Sequence, residues 1–334
     1  MKKISKTSNM SKPLDLLIIG GGPSGLNCAI EAQKSGLNYI VIEKGVLVNS
    51  IYHFPINMTF FSTSLRLEIA QIPFISHADK PTRQEALEYY RRLQQVFDLN
   101  VNVYEEVAEM LPTDDGHYLV KTNKNQYKTH SVVVATGFYD TPRLLNVPGE
   151  ELSKVSHYYN DPHPYIGQKV LVIGAANSAC DVALETYQKG AEVTMAVREA
   201  EIYPRVKYWI KPNIDNRIKE GSIKAHFNTI VKAIHPKKVD LEGSNGPFSI
   251  ENDFVFAMTG YHPNYELLSK LGLNCETDEF ELPFHEKETL ESNLPNVYLA
   301  GVVCAGKQTS KLFIENTRDH GEIIISQILK RLEK

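Results

Sequence analysis

Two glycine-rich segments, about 150 residues apart, each follow a run of apolar residues. The first spans residues 16–26, with the sequence LLIIGGGPSGL, and the second spans residues 170–179, with the sequence VLVIGAANSA. Apolar runs of this kind are typical of strands buried on both faces of a parallel sheet. Each segment therefore predicts a strand, a tight turn and a helix that together hold the pyrophosphate of a dinucleotide. Two such segments a domain apart suggest electron transfer between two dinucleotides.

The first segment fits the dinucleotide pattern at every position. Gly20 allows the tight turn, Gly22 lets the backbone approach the pyrophosphate, and Gly25 lets the helix pack closely on the strand. The N–H groups and dipole at the start of that helix favour the phosphates. Residues 37–43 predict the next strand, and it ends at Glu43, where an acceptor for a ribose hydroxyl is expected.

The second segment is a weaker match to the same pattern. Gly174 and Ala176 occupy the first two glycine positions, and Ala179 occupies the third, where alanine is allowed. Alanine at the middle position tightens the fit to a pyrophosphate. Asn177 and Ser178 stand at the predicted start of the helix.

The strand that follows this second helix indicates the coenzyme. Residues 192–197 predict that strand, and Arg198 follows it where an NAD site usually has an acid. An arginine there suits a 2′-phosphate, so the sequence favours NADPH over NADH, and Arg205 lies close enough in sequence to join the contact. Glu199 keeps the alternative open, because it could accept a ribose hydroxyl instead.

Composition limits the class of protein. The 334 residues suffice for two domains, and 42% hydrophobic with 23% charged residues is ordinary for a soluble globular chain. A net charge of −4 gives no basic footprint for nucleic acid. Residues 1–13 are polar and predict a disordered tail, and no apolar run is long enough to span a membrane. Four scattered cysteines without metal-type spacing predict no metal site and a reducing cytoplasm.

The order of predicted elements indicates an internal duplication. An amphipathic helix is predicted over residues 81–98. Strands are predicted over residues 101–110, 118–122, 129–136 and 296–301, and a last helix over residues 312–332. The sequence Ala135-Thr136-Gly137 closes one strand, and Thr259-Gly260 closes its counterpart after the second nucleotide turn. The prediction is an α/β fold with two dinucleotide-binding (Rossmann-like) domains, the second inserted into the first, divided as 14–148, 149–282 and 283–334.

This architecture resembles the two-dinucleotide-binding-domain flavoproteins, and among them the thioredoxin-reductase-like group. The resemblance covers nearly the whole chain from residue 14 and is carried by both nucleotide turns, by Ala135-Thr136-Gly137 and by residues 259–264, TGYHPN. It implies that the first domain binds FAD and that the inserted domain binds NADPH. Thioredoxin reductases carry a Cys-x-x-Cys pair just before the second nucleotide strand, but residues 155–162 read VSHYYNDP. Thioredoxin reductase chemistry of the usual kind is therefore excluded.

Further segments resemble the bacillithiol disulfide reductase (bacilliredoxin reductase, YpdA-type) family. They include residues 50–55 (SIYHFP), 59–62 (TFFS), 256–263 (FAMTGYHP) and 313–316 (FIEN). The resemblance implies a reductase of a small thiol disulfide or of a small redoxin protein, working as a homo-oligomer, either dimer or tetramer. It also implies cofactor contacts from Gly20, Gly22, Pro23, Ser24, Gly25, Glu43, Lys44, Tyr52, Phe60, Phe61, Val107, Ala135, Thr136, Gly137, Gly174, Ala176, Asn177, Ser178, Ala179, Arg198, Arg205, Met258, Gly260, Gly301, Phe313 and Ile314.

One departure from that family concerns the redox residue. The family has cysteine after the proline of the first turn, and this chain has Ser24, whose hydroxyl cannot form a mixed disulfide. Cys304 is a weak candidate for a substitute thiol, and His53 for protonating a thiolate leaving group. Three alternatives stay open: a ferredoxin–NADP reductase-like activity, a flavin monooxygenase, and a non-catalytic FAD-binding redox sensor.

Overall fold

A computed structural model describes residues 12–333. All but the last two residues of the predicted disordered tail, 1–13, lie outside the described residues. In chain order the helices and strands are β1 (Leu14–Ile19), α1 (Pro23–Lys34), β2 (Tyr39–Ile42), α2 (Asn49–Tyr52), α3 (Ser64–Leu67), α4 (Arg83–Val96), β3 (Val101–Asn102), β4 (Val107–Pro112), β5 (Tyr118–Thr122), β6 (Gln126–Val134), β7 (Thr141–Pro142), β8 (Val155–Ser156), β9 (Lys169–Ile173), α5 (Asn177–Gln188), β10 (Glu192–Ala196), α6 (Lys211–Lys219), β11 (Lys224–His226), β12 (Ile230–Ile234), β13 (Lys238–Gly243), β14 (Gly246–Glu251), β15 (Phe254–Ala257), β16 (Tyr261–His262), α7 (Tyr265–Lys270), β17 (Val297–Leu299) and α8 (His320–Leu332).

The chain forms two compact units. The described part of the first unit comprises residues 12–52, 62–141 and 262–333. The second unit comprises His53–Phe61 and Pro142–Tyr261. The chain therefore crosses from one unit to the other four times, and the second unit draws its residues from two separate stretches.

The first unit is built on a sheet in the order β3-β2-β1-β6-β5-β4. Strand β6 pairs in parallel with β1 along one edge. Along its other edge, residues 126–129 pair antiparallel with β5 and residues 132–134 pair in parallel with β17. Leu16, Leu17 and Ile18 of β1 have no exposed surface, which is the burial predicted for an apolar parallel strand. Because β1, β2, β6 and β17 run the same way, their carboxyl ends bring Gly20, Glu43, Ala135 and Gly301 to one edge of the sheet.

The second unit has a parallel sheet in the order β11-β10-β9-β15-β8. Helix α5 packs on it through buried residues that include Ala179, Cys180 and Val182. A separate antiparallel sheet follows the order β12-β13-β14. The carboxyl ends of β9, β10 and β15 lead into Gly174, Val197 and Met258, so this unit repeats the arrangement of strand ends found in the first.

Helix α4 confirms the amphipathic helix predicted over residues 81–98. Its N-terminus is a capping box, in which the Glu85 N–H donates to the Thr82 hydroxyl at 3.2 Å and the Thr82 N–H donates to the Glu85 carboxylate at 2.7 Å. Ala86, Tyr90 and Leu93 form the buried face of the helix. Burial of that face, rather than helix propensity alone, fixes the helix in place.

Two predicted elements are wrong in their extent. The predicted strand 101–110 is two strands, because Tyr104 adopts a left-handed backbone (φ 56°) and its N–H donates to Gly45 O. The last helix begins at His320 rather than near residue 312. A short 3-10 turn, Ile314–Asn316, precedes it, and the Asn316 side chain accepts the Phe313 N–H at 2.7 Å. Phe313 before this turn (φ −138°, ψ 178°) and Thr317 after it (φ −129°) have non-helical backbones, so the turn does not continue into α8.

Candidate functional site

The structure accounts for the three glycines of the first turn in different ways. Gly20 has a φ of +109°, and a Cβ there would lie 2.5 Å from Ala135 O. A Cβ on Gly25 would lie 1.9 Å from Gly20 O, so the close packing of α1 on the turn requires glycine. Around Gly22 no atom of the described residues, its chain neighbours aside, lies within 4 Å of a Cβ position, and its φ of −77° suits any residue. The protein's own packing therefore does not explain Gly22, and the open space beside it fits a ligand.

The start of α1 is suited to an anion. Gly22 is the N-cap residue, no side chain caps the helix, and the first turn contains no acid. Pro23 has no N–H, and the following amides point out of the helix end. Nearby, the Thr136 hydroxyl is buried and has no hydrogen-bond partner within residues 12–333. An unsatisfied buried hydroxyl costs about 1–3 kcal/mol, so a polar ligand at this edge would remove the cost.

Glu43 holds two turns of the first unit together. One carboxylate oxygen accepts the Gly21 N–H at 2.7 Å, and the other accepts the Gly45 N–H at 2.9 Å. Burial raises the pKa of this carboxyl, and the two N–H bonds oppose the rise. Lys44, the next residue, pairs with Asp140 at 3.0 Å.

A cavity beside Glu43 is lined by six of the predicted FAD contacts. Its lining includes Gly20, Glu43, Lys44, Val107, Thr136 and Gly137. The lining also includes Asp140 and Glu105, which the sequence analysis did not select. No local motif marks either residue, so only the fold brings them to this edge.

Ser24 lies against Gly301. A Cβ on Gly301 would lie 2.2 Å from Ser24 Oγ, and the φ of Gly301 is +82°. The Gly301 N–H donates to His320 Nδ1 at 3.1 Å in a buried position. Burial lowers the pKa of His320, so its ring is neutral and can accept this bond. Sequence reasoning missed His320, since no motif links it to a glycine 19 residues earlier.

The four cysteines provide no ready thiolate. Cys28, Cys180 and Cys304 are buried, and burial raises the pKa of each thiol to about 12. Cys275 is half-buried, and burial also raises the pKa of its thiol. Since the thiolate is the nucleophile, Cys304 is poorly suited to the redox role for which it was a weak candidate.

The predicted flavin-side aromatic residues are distributed between the two units. Tyr52 ends α2 in the first unit, with the Arg83 guanidinium 5.5 Å from its ring centre. His53, Phe60 and Phe61 belong to the second unit. Phe60 is buried, whereas Phe61 is exposed and stacks on Trp209 with a centroid separation of 5.7 Å.

The second nucleotide turn repeats the geometry of the first. Gly174 has a φ of +127°, and a Cβ there would lie 2.6 Å from Met258 O, as Gly20 does relative to Ala135. Helix α5 has Ala176 as its N-cap, without a side-chain cap and without an acid in the first turn. Ala179 is fully buried under the turn, which is the close helix packing that a small residue allows. Asn177 accepts the Lys207 N–H at 2.8 Å, and Ser178 is exposed.

Arg198 and Glu199 lie together after β10. The Arg198 guanidinium bonds the Glu199 carboxylate at 2.8 Å, and the Arg198 side chain is 80% exposed. Arg205 is also exposed. The two sequence alternatives for this strand end, an arginine for a 2′-phosphate and an acid for a ribose hydroxyl, are thus both accessible.

Phe313 and Ile314 do not begin the last helix. Both were predicted as cofactor contacts and fell at the start of the helix predicted over residues 312–332, but they lie before and in the turn Ile314–Asn316. The N-terminus of α8 lies instead at His320, whose helix packs against α1. A cofactor contact from Phe313 or Ile314 stays a prediction, and neither residue stands at the start of a long helix.

The described residues contain neither a metal-binding cluster nor a membrane-spanning helix. Across residues 12–333, His, Cys, Asp and Glu side chains form no group of three or more suited to a metal ion. Over the same range no helix has the length and apolar character needed to cross a membrane.

Comparisons with known proteins agree with this geometry. Residues 17–301 match the family model described as pyridine nucleotide-disulphide oxidoreductase. The chain is 43% identical to bacilliredoxin reductase Bdr of Bacillus subtilis, over 94% of this chain and 97% of that protein. It is similar to the solved structure of bacillithiol disulfide reductase Bdr (YpdA) from Bacillus cereus, with 42% identity, a TM-score of 0.93 and coverage of 96% and 100%. For the Staphylococcus aureus structure the values are 41%, 0.92, 96% and 99%.

These similarities confirm the predicted α/β fold class with two Rossmann-like domains. They extend over nearly the whole of each relative, so the match does not depend on one nucleotide motif. The chain belongs to the pyridine nucleotide-disulphide oxidoreductase family and, within it, to the bacilliredoxin reductase (bacillithiol disulfide reductase, YpdA-type) group, as the sequence predicted.

Proposed function

We propose that this protein is an NADPH-dependent flavoprotein that reduces bacillithiol disulfide, a related small thiol disulfide, or a mixed disulfide on a bacilliredoxin. Family membership is the observation that carries the proposal. It also confirms the predicted enzyme class, a flavoprotein disulfide reductase, and the predicted cofactors, FAD and NADPH. When bound, FAD supplies a two-electron carrier between a pyridine nucleotide and a disulfide.

Each nucleotide turn is assigned to one cofactor. The first unit takes FAD, supported by the open space at Gly22, the uncapped start of α1 and the unpartnered Thr136 hydroxyl. The second unit takes NADPH at Gly174, with Arg198 toward the 2′-phosphate. The domain boundaries predicted at residues 149 and 282 stay a prediction; the two compact units divide at residues 142 and 262.

The protein's own residues bind and orient the acceptor rather than attack it. Ser24 cannot form a mixed disulfide, and the buried thiols of Cys28 and Cys304 are protonated at neutral pH. Disulfide reduction therefore depends on holding the acceptor sulfurs in line with the bound cofactor. His53 is exposed in the second unit and stays a candidate for protonating the leaving thiolate.

Location and assembly are parts of the same proposal. Four free cysteines fit a reducing cytoplasm, where disulfides are rare. The family resemblance favours a homo-oligomer, either dimer or tetramer. Light scattering of the FAD-loaded protein measures the assembly directly, and a monomer at micromolar concentration would contradict it.

Anaerobic titration with NADPH tests the function. NADPH should bleach the flavin absorbance in equimolar amount, and bacillithiol disulfide or a bacilliredoxin mixed disulfide should restore it. If no disulfide restores the absorbance while ferredoxin or oxygen does so quickly, the proposed disulfide acceptor is wrong. Fast reoxidation by ferredoxin would then support the ferredoxin–NADP reductase alternative, and fast reoxidation by oxygen would support the monooxygenase alternative. If NADPH fails to bleach the flavin, the protein is a redox sensor rather than an enzyme.

Substitution of Ser24 tests whether a sulfur at this position limits turnover. We expect Ser24→Cys to raise the rate of disulfide reduction, because it places a thiol at the position that has cysteine in the family. Cys275→Ser is the matched control, since it changes a sulfur outside both nucleotide turns, and it should leave the rate unchanged. An unchanged rate in Ser24→Cys would show that the reaction proceeds without a protein thiol here.

A further inference from the structure

Segment His53–Phe61 lies between α2 and α3 in the sequence, and both of these helices belong to the first unit. The segment itself belongs to the second unit. Its Ile56 N–H donates to Asn160 O at 3.0 Å, which fixes its backbone to that unit. A short stretch of the predicted FAD-binding domain is therefore attached to the coenzyme-binding unit.

Glu185 attaches this segment to the coenzyme helix. Glu185 lies on α5, eight residues after Asn177 at the start of the same helix. Its carboxylate accepts the Tyr159 hydroxyl at 2.9 Å and a side-chain hydrogen bond from Asn57 of the segment. Hydrogen bonds to a carboxylate are stronger than neutral ones, so this contact is a substantial anchor. Burial raises the pKa of Glu185, and the Tyr159 and Asn57 bonds oppose the rise.

A second connection starts at the glycine turn itself. The Tyr203 N–H donates to Ala175 O at 3.0 Å, in the middle of the turn. The Lys207 N–H donates to Asn177 Oδ1 at 2.8 Å, and Lys207 Nζ lies 3.0 Å from the Asp181 carboxylate. The stretch from Tyr203 to Lys207 is thus fastened to the turn and to the first two turns of α5.

The same stretch leads directly to the aromatic part of the segment. Trp209 follows Lys207 by two residues, and its ring stacks on Phe61 at 5.7 Å with an interplanar angle of 18°. Lys207 Nζ lies 5.9 Å from the Trp209 ring centre. Of the two anchors of the segment, Glu185 therefore lies on the helix that begins at the coenzyme turn, and Trp209 lies on a stretch that is hydrogen-bonded to that turn.

We propose that coenzyme binding at the Gly174 turn is coupled to the order of segment His53–Phe61, with Glu185 as a positioning residue. A ligand that fixes the turn and the start of α5 also fixes the two elements that hold the segment. The coupling must be reciprocal, so loosening the segment weakens coenzyme binding by the same factor. The identity of the coenzyme as NADP(H) rests on the proposed function. Because reduction of the flavin requires bound coenzyme, it would also depend on this segment, which carries Phe60 and Phe61.

Titration of the FAD-loaded full chain with NADP⁺ tests the coupling, because NADP⁺ cannot reduce the flavin. Hydrogen exchange read by mass spectrometry should show slower exchange at Ile56 when NADP⁺ is bound. Asn57→Ala should raise the Kd for NADP⁺ by roughly fivefold or more, as in typical couplings. Asn216→Ala is the matched control: Asn216 is an exposed asparagine on α6 of the same unit, and its removal should leave the Kd unchanged.

Substitutions of Glu185 distinguish positioning from folding. Glu185→Gln keeps an oxygen acceptor and should preserve both the Kd and the exchange response. Glu185→Ala should behave as Asn57→Ala does. The emission of Trp209, the single tryptophan, reports whether the Phe61 stack survives in each variant.

Three results would overturn the coupling: NADP⁺ does not bind, Ile56 exchange does not respond to bound NADP⁺, or Asn57→Ala binds NADP⁺ as the parent does. These measurements use no electron acceptor. A protein that shows the coupling but reduces no disulfide would therefore refute the proposed function and leave the coupling intact.

Discussion

Gly22 is the residue that best separates cofactor binding from folding. Apart from its chain neighbours, no atom of residues 12–333 lies within 4 Å of a Cβ placed there, and its φ of −77° is open to alanine. If the FAD pyrophosphate lies against this backbone, the added methyl group occupies ligand space only. We therefore predict that Gly22→Ala weakens FAD binding while the apoprotein keeps its stability.

The magnitudes follow from the local geometry. Alanine is a poorer N-cap than glycine by about 1 kcal/mol. The loss of unfolded-state freedom returns about 0.4–1 kcal/mol, so the net change in apoprotein stability stays within about 1 kcal/mol. Overpacking typically costs about 1–3 kcal/mol, which corresponds to FAD binding roughly 5- to 150-fold weaker.

Gly25→Ala provides the contrast. Its Cβ would lie 1.9 Å from Gly20 O, so the protein itself must shift, at a cost of about 3 kcal/mol. Chemical unfolding of each apoprotein, followed by far-UV circular dichroism, should show a lower midpoint for Gly25→Ala and little change for Gly22→Ala. Quenching of FAD fluorescence on reconstitution measures the Kd of each variant.

Either of two outcomes would refute the assignment of the pyrophosphate to the space beside Gly22. If Gly22→Ala binds FAD with the parent Kd, the open space at Gly22 is not the pyrophosphate position. A large fall in the apoprotein midpoint for the same variant would show that the space is filled by the protein in solution.

Three further predictions follow from charges and thiols. Arg198→Leu should raise the KM for NADPH by about tenfold and leave that for NADH nearly unchanged, because one charge-assisted bond to the 2′-phosphate is lost; equal effects on both coenzymes would exclude the contact. Burial lowers the pKa of His320 below 6.5, so the unfolded chain binds this proton more readily than the folded one. The free energy of unfolding should be retained above pH 6.5 and should fall as the pH drops from 6.5 toward the lower pKa of the folded state. Urea unfolding across this pH range should show a smaller fall in the free energy of unfolding for His320→Gln. Of the cysteines, Cys275 should react first with a thiol reagent, while Cys28 and Cys304, with pKa values of about 12, react only on unfolding; a rapid phase that survives Cys275→Ser would contradict this.

The nucleotide turns could be predicted because their chemistry is local. Gly20 and Gly174 each follow a buried strand within a few residues, and the strand, glycine and helix pattern is contained in one short stretch. The structure then gives each of them a positive φ and the same close approach to a neighbouring strand end. Family membership was likewise carried by short stretches of sequence, and comparison confirmed it. The individual cofactor contacts stay predictions.

Features that join distant residues could not be predicted. The bond from Gly301 to His320 and the attachment of residues 53–61 to α5 depend on tertiary packing, for which the sequence has no periodic signal. The late start of α8 follows from the non-helical backbone of Phe313 (φ −138°) and Thr317 (φ −129°). The break in the strand at residues 101–110 depends on the left-handed backbone of Tyr104. In the last two cases the backbone conformation in the folded chain overrides the local preference of the sequence.

The bonds of Glu43 also have a consequence for how the enzyme matures. This one carboxylate ties Gly21 to Gly45 through bonds made entirely by the chain itself, so the protein joins the loops after two neighbouring strands with its own residues. The flavin can then bind to a site that is already preorganised, and binding does not have to order these loops. A cell short of riboflavin would accumulate a folded, colourless precursor, and resupply of the vitamin would convert that stock to active enzyme without new protein synthesis.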